Sequence, residues 1–162
     1  MLTWMQRAII APTRKLTQSD LDYLFDKEAN SIGGLMLHLA ATETYYQRHT
    51  FNGEAWGKWP ADISAKWDAA MRLGDAGRAT IKGHNLAFYT DALNEVRERS
   101  LAESRKRDDA WLMTVDKEWP WVPRTTTVSG SMSASTSPTT RARSTFFSSA
   151  CLATNPTPNA WA

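Results

Sequence analysis

Cysteine and long apolar runs are scarce in this chain of 162 residues. Its single cysteine, Cys151, excludes an internal disulfide and is typical of a reducing compartment. No apolar run approaches the roughly 20 residues of a membrane-spanning helix. The first residues, MLTWMQRAIIAPTRK, lack the basic start and the small-residue cleavage site of a signal peptide. We therefore expect a cytoplasmic protein without a membrane partner.

A strong charge imbalance is also missing. Nineteen Lys and Arg residues against 17 Asp and Glu residues give a formal net charge of +2, which is too small to indicate a nucleic-acid partner. The most basic segment, residues 97–107, interleaves Glu98 and Glu103 with its cations. This pattern is typical of a solvated helix face, so we expect no nucleic-acid binding.

Acidic residues are absent from residues 125–162, which contain nine Thr and eight Ser and whose only charges are Arg141 and Arg143. Ser and Thr compete with helical backbone hydrogen bonds, and the three prolines of this segment oppose any helix. The composition predicts two parts, a helical domain at residues 1–124 and a low-complexity, disordered tail at residues 125–162.

Helical periodicity dominates the chain before residue 125. Helices are predicted near residues 1–15, 31–46, 62–73 and 85–106, with turns at 74–83 and an irregular segment at 108–123. Gly33 and Gly34 indicate close packing against a neighbouring helix. No strand pattern is apparent, so the predicted class is all-α. The predicted inner face of the helix at 31–46 consists of Ile32, Leu35, Met36, Leu39 and Tyr46.

Local polar patterns predict helix starts. Thr17 followed by Asp20 resembles a capping box, although Asp replaces the usual Glu. Asn30 or Ser31 can cap the next helix. Glu43 could bond to a ligand or a substrate, but it is interpreted as a solvated or helix-pairing residue.

The segment SIGGLMLHLAATETYY places one histidine, His38, among apolar residues. A metal site in a protein usually needs three or four ligands. Taken by itself, His38 is most simply a core or edge histidine with one hydrogen bond. His49 and His84 stand beside loops and are interpreted as surface residues.

The segment ANSIGGLMLHLAATETYYQR resembles the second-helix signature of the DinB-like superfamily, and most closely its YfiT-like and uncharacterised DinB-type branches. YTDALNEVRERSL and RDDAWLMTVDKEWPWV resemble the third helix and the loop after it, so the likeness covers roughly residues 15–124. The resemblance implies an up-down four-helix bundle of bacterial origin that holds a divalent metal, usually zinc or nickel. His38 matches one metal ligand of that family.

The same resemblance implies an ancestral metal-dependent enzyme of the thiol S-transferase or hydrolase type, acting on a low-molecular-weight thiol or another small molecule. The family's other two ligands come from an H-x-x-x-H on the fourth helix, and this chain contains no such motif. No catalytic or other cofactor-binding residue is therefore assigned.

The tail offers an explanation for the missing ligands. If the coding DNA of residues 126–152 is read one base out of register, suitable codon choices give an amphipathic helical string with H-x-x-x-H followed by G-Q. We interpret the tail as a frameshifted fourth helix; the alternative is a genuine disordered extension. On the frameshift interpretation this chain is metal-free and inactive. The alternative function is a non-catalytic helical bundle that forms a homodimer through the apolar face left exposed.

Overall fold

The computed structural model describes residues 2–116 and 124–125, with side chains from residue 6 to residue 116. Helices dominate these residues, which agrees with the predicted all-α class, and no described helix has the length and apolarity needed to cross a membrane. Apart from Thr125, the predicted tail lies outside the described residues. The elements are α1 Leu2–Thr13, α2 Gln18–Asp22, α3 Ile32–Asn52, α4 Ala61–Arg72, α5 Gly74–Thr80, α6 Leu86–Arg105, α7 Asp109–Leu112, β1 Val115–Asp116 and β2 Arg124–Thr125.

Several of these helices begin after a residue whose side chain accepts a hydrogen bond from a backbone N–H of the first turn. The Asp20 N–H donates to Thr17 Oγ1 at 3.3 Å, and the Thr17 N–H donates to Asp20 Oδ2 at 2.8 Å. This pair confirms the predicted capping box of α2. Ser31, rather than Asn30, caps α3 by accepting the Gly34 N–H at 3.0 Å. Asn85 caps α6 in the same way by accepting the Phe88 N–H at 3.0 Å.

Helix α3 is the central element of the fold. It packs against α6 and α4, and α2 also contacts it. Gln47 reaches the carbonyl of Val96 in α6, whereas Tyr45 reaches Asp68 in α4. Because each residue turns a helix by about 100°, these contacts lie on opposite faces of α3. Helix α1 contacts α6.

Close packing between α3 and α6 depends on Gly33. A Cβ atom added there would lie 2.6 Å from the Tyr89 ring. The prediction that a helical neighbour approaches Gly33 is therefore confirmed. At Gly34 the nearest atom to an added Cβ would be Ser31 Oγ at 3.1 Å, which belongs to the cap of α3 itself.

The hydrophobic core lies around α3. Its buried members are Leu21, Met36, Ala40, Ala41, Tyr45, Trp67, Ala70, Ile81, Tyr89, Leu93 and Val96. The predicted inner face of α3 is right for Met36, which is buried, and for Leu39, which packs against the buried core. It is wrong for Ile32, and it missed the small residues Ala40 and Ala41, which are completely buried. Ile32 is 38 % exposed, and Leu35, Leu39 and Tyr46 are half-buried. We call Ile32, Leu35, Leu39 and Tyr46 the α3 stripe.

Four short elements differ from the predictions. The segment after Gly74 was predicted to be turns, but α5 forms there and contacts α4. The segment after Asp108 was predicted to be irregular, but α7 forms, capped by Asp108. The two-residue strands β1 and β2 pair antiparallel, with Val115 opposite Thr125.

Candidate functional site around His38

His38 lies half-buried on the face of α3 that contacts α4. Its Nδ1 atom is 2.9 Å from the carbonyl oxygen of Ala70. A carbonyl oxygen only accepts hydrogen bonds, so Nδ1 carries the ring proton and Nε2 keeps its lone pair. This arrangement is usual for metal-binding histidines, in which a backbone carbonyl fixes the tautomer and the other nitrogen is the ligand.

Burial controls the charge of His38. Desolvation lowers the pKa of the ring from its usual value, and hydrogen bonds to the backbone at Ala70 and Met71 oppose that shift. The ring is therefore neutral at neutral pH. A neutral imidazole is the form that binds a metal or accepts a hydrogen bond from a ligand.

The polar groups near His38 on the same face of α3 are engaged with α4. The Thr42 hydroxyl donates to Met71 Sδ at 3.6 Å, and the Tyr45 hydroxyl donates to Asp68 Oδ1 at 2.5 Å. Tyr45 also stacks on the Trp59 ring, with centroids 4.9 Å apart. Burial and the hydrogen bond to Asp68 raise the pKa of Tyr45, so its hydroxyl remains a donor.

The metal ligand set implied by the resemblance is not present in the part of the chain that the structure describes. No group of three or more His, Cys, Asp or Glu side chains that could hold a metal occurs there. Both ring nitrogens of His49 face other partners, and His84 stacks on Phe88 with centroids 3.9 Å apart. The described residues around His38 therefore do not fit a zinc or nickel ion, and no reaction step is derived through one.

His49 was predicted to be a surface residue, and this prediction is wrong because it is only 5 % exposed. Its Nδ1 lies 2.8 Å from the Glu54 carbonyl oxygen, and its Nε2 lies 2.9 Å from Asp116 Oδ2. Both ring nitrogens therefore lie within hydrogen-bonding distance of protein oxygens in a buried position. The partner at Asp116 is 67 residues away in the chain, so local sequence gave no signal for this contact. His84 is half-buried rather than fully exposed.

Glu43 pairs α3 with α6, which confirms the helix-pairing interpretation. Its Oε2 accepts from Arg97 Nη2 at 2.8 Å, and its Oε1 accepts from the Ser100 hydroxyl at 2.5 Å. Gln47 Nε2 extends the network by donating to Ser100 Oγ at 2.8 Å. The network lies on the α6 side of α3, away from the α4 face that carries His38, so Glu43 does not join His38 in one site.

Comparisons of the chain with models of known families, with curated proteins and with solved structures give no match. The DinB-like resemblance therefore stays a prediction that depends on the sequence segments quoted above.

Proposed function

We propose that this chain is a DinB-like helical-bundle protein, related to metal-dependent enzymes, that does not itself hold a metal. The observation that carries the proposal is the geometry of His38. Its proton is committed to the Ala70 carbonyl at 2.9 Å, which leaves Nε2 with the lone pair that a ligand needs. His38 is therefore oriented as a metal-binding histidine would be, whereas the described residues do not supply a complete ligand set.

In an intact relative, a divalent zinc or nickel ion would lower the pKa of a bound thiol or water and supply a nucleophile at neutral pH. The substrates of that chemistry would be a low-molecular-weight thiol or another small molecule. In this chain, the role of His38 is limited to the helix contact with Ala70.

Metal content and a frame-restored variant test the proposal. The chain as given and a variant whose coding frame is restored after codon 125 are incubated with zinc or nickel, dialysed and analysed for bound metal. We expect substoichiometric metal in the first protein and stoichiometric metal in the second. His38→Ala should remove the metal from the restored variant, whereas the matched change His84→Ala should not.

Two results would contradict this proposal. Stoichiometric metal in the chain as given, lost in His38→Ala, would show that the chain completes its own site. If the restored variant folded but bound no metal, the proposed relationship to metal-dependent enzymes would be wrong. A comparison of thermal melts with and without added metal gives the same answer through stability, because metal that binds only the folded state raises the melting temperature.

A second candidate function is a non-catalytic module that forms a homodimer through the α3 stripe. The observation that favours it is the exposure of Ile32 together with half-buried Leu35 and Leu39 on one continuous helix face. Apolar faces of this kind are buried in symmetric dimers of many bundles. Sedimentation over a range of concentrations tests it: Ile32→Glu, at the exposed member of the stripe, should yield monomers, whereas Ala102→Glu, at an exposed position of α6, should leave the dimer intact. A native protein that sediments as a monomer throughout that range would contradict this second function.

A further inference from the structure

Three consecutive apolar residues after α2 face solvent. Tyr23, Leu24 and Phe25 have exposures of 65 %, 37 % and 84 %. Leu21, in the last turn of α2, is completely buried, so the helix end belongs to the core and the loop after it turns away from the core. Neighbouring apolar side chains at a protein surface, unlike single ones, indicate an interaction site. We call Tyr23, Leu24 and Phe25 the apolar loop.

Hydrogen bonds fix the backbone on both sides of the apolar loop. Before the loop, Asp22 Oδ2 accepts the Gly83 N–H at 2.8 Å. After the loop, Asp26 Oδ1 accepts the Glu28 N–H and the Ala29 N–H, each at 2.8 Å. The apolar side chains are therefore presented on an ordered backbone. Such preorganisation lowers the entropic cost of binding a partner.

A cleft with a volume of ≈ 490 Å³ lies beside the apolar loop, and Leu24 and Ile81 are its apolar lining residues. Arg78 also lines it but is already engaged. Its Nη2 pairs with Asp75 at 2.7 Å, and its Nη1 donates to the Glu28 carbonyl oxygen at 2.8 Å. The cleft therefore extends the apolar surface at Leu24 and has room for an apolar side chain of a partner.

Acidic residues flank the apolar loop. Residues 20–28 contain four of them, which are Asp20, Asp22, Asp26 and Glu28. Lys27 is the one basic residue of this segment, so its formal net charge is −3, whereas the whole chain has +2. None of the four carboxylates forms an ion pair with a described side chain. Lys82, which lines the cleft, brings the charge of this surface to −2.

The negative charge around the apolar loop favours one kind of occupant. An anionic lipid surface attracts basic segments and repels acidic ones. A second copy of the same loop, related by a two-fold axis, would bring identical acidic residues opposite each other. A basic partner is attracted by the same charges.

We propose that the apolar loop binds a cationic segment of another protein, in which apolar side chains lie between Lys or Arg residues. The apolar side chains of the partner pack on Tyr23 and Phe25, and against Leu24 at the mouth of the cleft. Its basic side chains face Asp26 and Glu28. This role does not depend on a metal and goes beyond the function proposed above.

Three capped hexapeptides test the chemistry of the occupant. The first carries Leu and Phe between two pairs of basic residues, the second has Glu in place of the basic residues, and the third has two Ser in place of Leu and Phe. Binding is followed by amide chemical shifts of the full chain. The first peptide should shift the signals of residues 22–28, with an affinity that falls as salt is added. The second should not bind, and the third should bind about tenfold more weakly or less.

Two pairs of variants test the residues. Phe25→Ser should weaken binding of the first peptide about tenfold or more, whereas the matched change Met113→Ser, at a residue that is 69 % exposed, should have no effect. Glu28→Lys should also weaken binding of the first peptide, because it reverses a charge that faces the basic residues. Glu98→Lys, at an exposed position of α6, is its control and should leave binding unchanged.

The proposal would be overturned if Phe25→Ser bound the first peptide normally, if the second peptide bound as tightly as the first, or if no peptide moved the signals. Three further results would assign the surface to a different occupant and overturn the proposal as well. Vesicles containing phosphatidylserine that shift the signals of residues 22–28 would indicate a membrane. Peptide-free signals that shift with protein concentration would indicate a second copy of the chain. Peptide-free signals that shift in a variant combining Arg141→Glu and Arg143→Glu would indicate the chain's own C-terminal segment.

Discussion

Gly33 of α3 and Tyr89 of α6 are packed closely against each other. An added Cβ at residue 33 would lie 2.6 Å from Cζ of Tyr89 and 2.7 Å from its hydroxyl oxygen. Because Tyr89 is completely buried, its ring has little room to move away. The glycine therefore sets the distance between the two longest helices of the described chain.

Gly33→Ala should destabilise the protein. The strain of inserting a methyl group into a filled space is about 1–3 kcal/mol, and the gain in helix propensity of about 1 kcal/mol offsets only part of it. Urea denaturation should show a lower midpoint. Gly77→Ala is the control, since its Cβ would find ordinary contacts from 3.5 Å outward and should leave stability unchanged or slightly higher.

Glu43→Gln should destabilise the contact between α3 and α6. Arg97 is 13 % exposed, and its Nε and Nη1 atoms are buried without hydrogen-bond partners in the described region. Removing the Glu43 charge leaves the buried guanidinium of Arg97 without a counter-charge. The free energy of unfolding should therefore fall by about 2 kcal/mol. A double-mutant cycle with Arg97→Gln should give a coupling energy above about 1 kcal/mol. Glu95→Gln, at an exposed site of α6, should change little, and a coupling energy near zero would contradict the prediction.

His38 should make stability depend on pH. The folded ring has a pKa below its usual value, whereas the unfolded ring has a pKa of about 6.5. The unfolded chain therefore binds more protons as the pH falls below that value, and the free energy of unfolding decreases by up to about 1.4 kcal/mol per pH unit until the folded pKa is reached. His38→Gln should flatten this slope, while His84→Gln should retain it. Equal slopes in native protein and His38→Gln would show that other groups cause the dependence.

Tyr45→Phe should cost about 1 kcal/mol because the hydrogen bond to Asp68 is lost while the stacking on Trp59 remains. In a double-mutant cycle, Asp68→Asn and Tyr45→Phe should be less than additive, since each change alters the same contact. The stability of all four proteins is measured by thermal unfolding monitored by circular dichroism. Additive effects would mean that the short contact at 2.5 Å contributes no coupling.

The sequence predicted the main helices well, since α3, α4 and α6 combine apolar periodicity with recognisable starts such as Ser31 and Asn85. The prediction failed where glycine was taken as a turn signal. The chain does break sharply at Leu73, with φ of 56°, and at Gly74, with φ of 55°, but it then resumes as α5. Local composition could not show that the chain resumes as a helix that contacts α4.

The candidate site was predictable in part. His38 could be selected because it interrupts an apolar pattern, but its bond to Ala70 joins residues 32 positions apart, and no local rule reveals it. The same reason explains the wrong prediction for His49, whose partner Asp116 lies in a strand of two residues.

The central place of α3 has a consequence for exchange of its backbone amides with deuterated solvent. Ala40, Ala41 and Tyr45 lie in a part of the helix that is covered by α4 on one side and by α6 on the other. Their N–H groups can reach solvent only when both neighbours separate, which is close to complete unfolding. Helix α1 contacts α6, and none of its described side chains, at residues 6–13, belongs to the buried apolar core, so we expect it to open before the other helices. Deuterium should therefore enter the molecule from its first helix inward, and the middle of α3 should be labelled last.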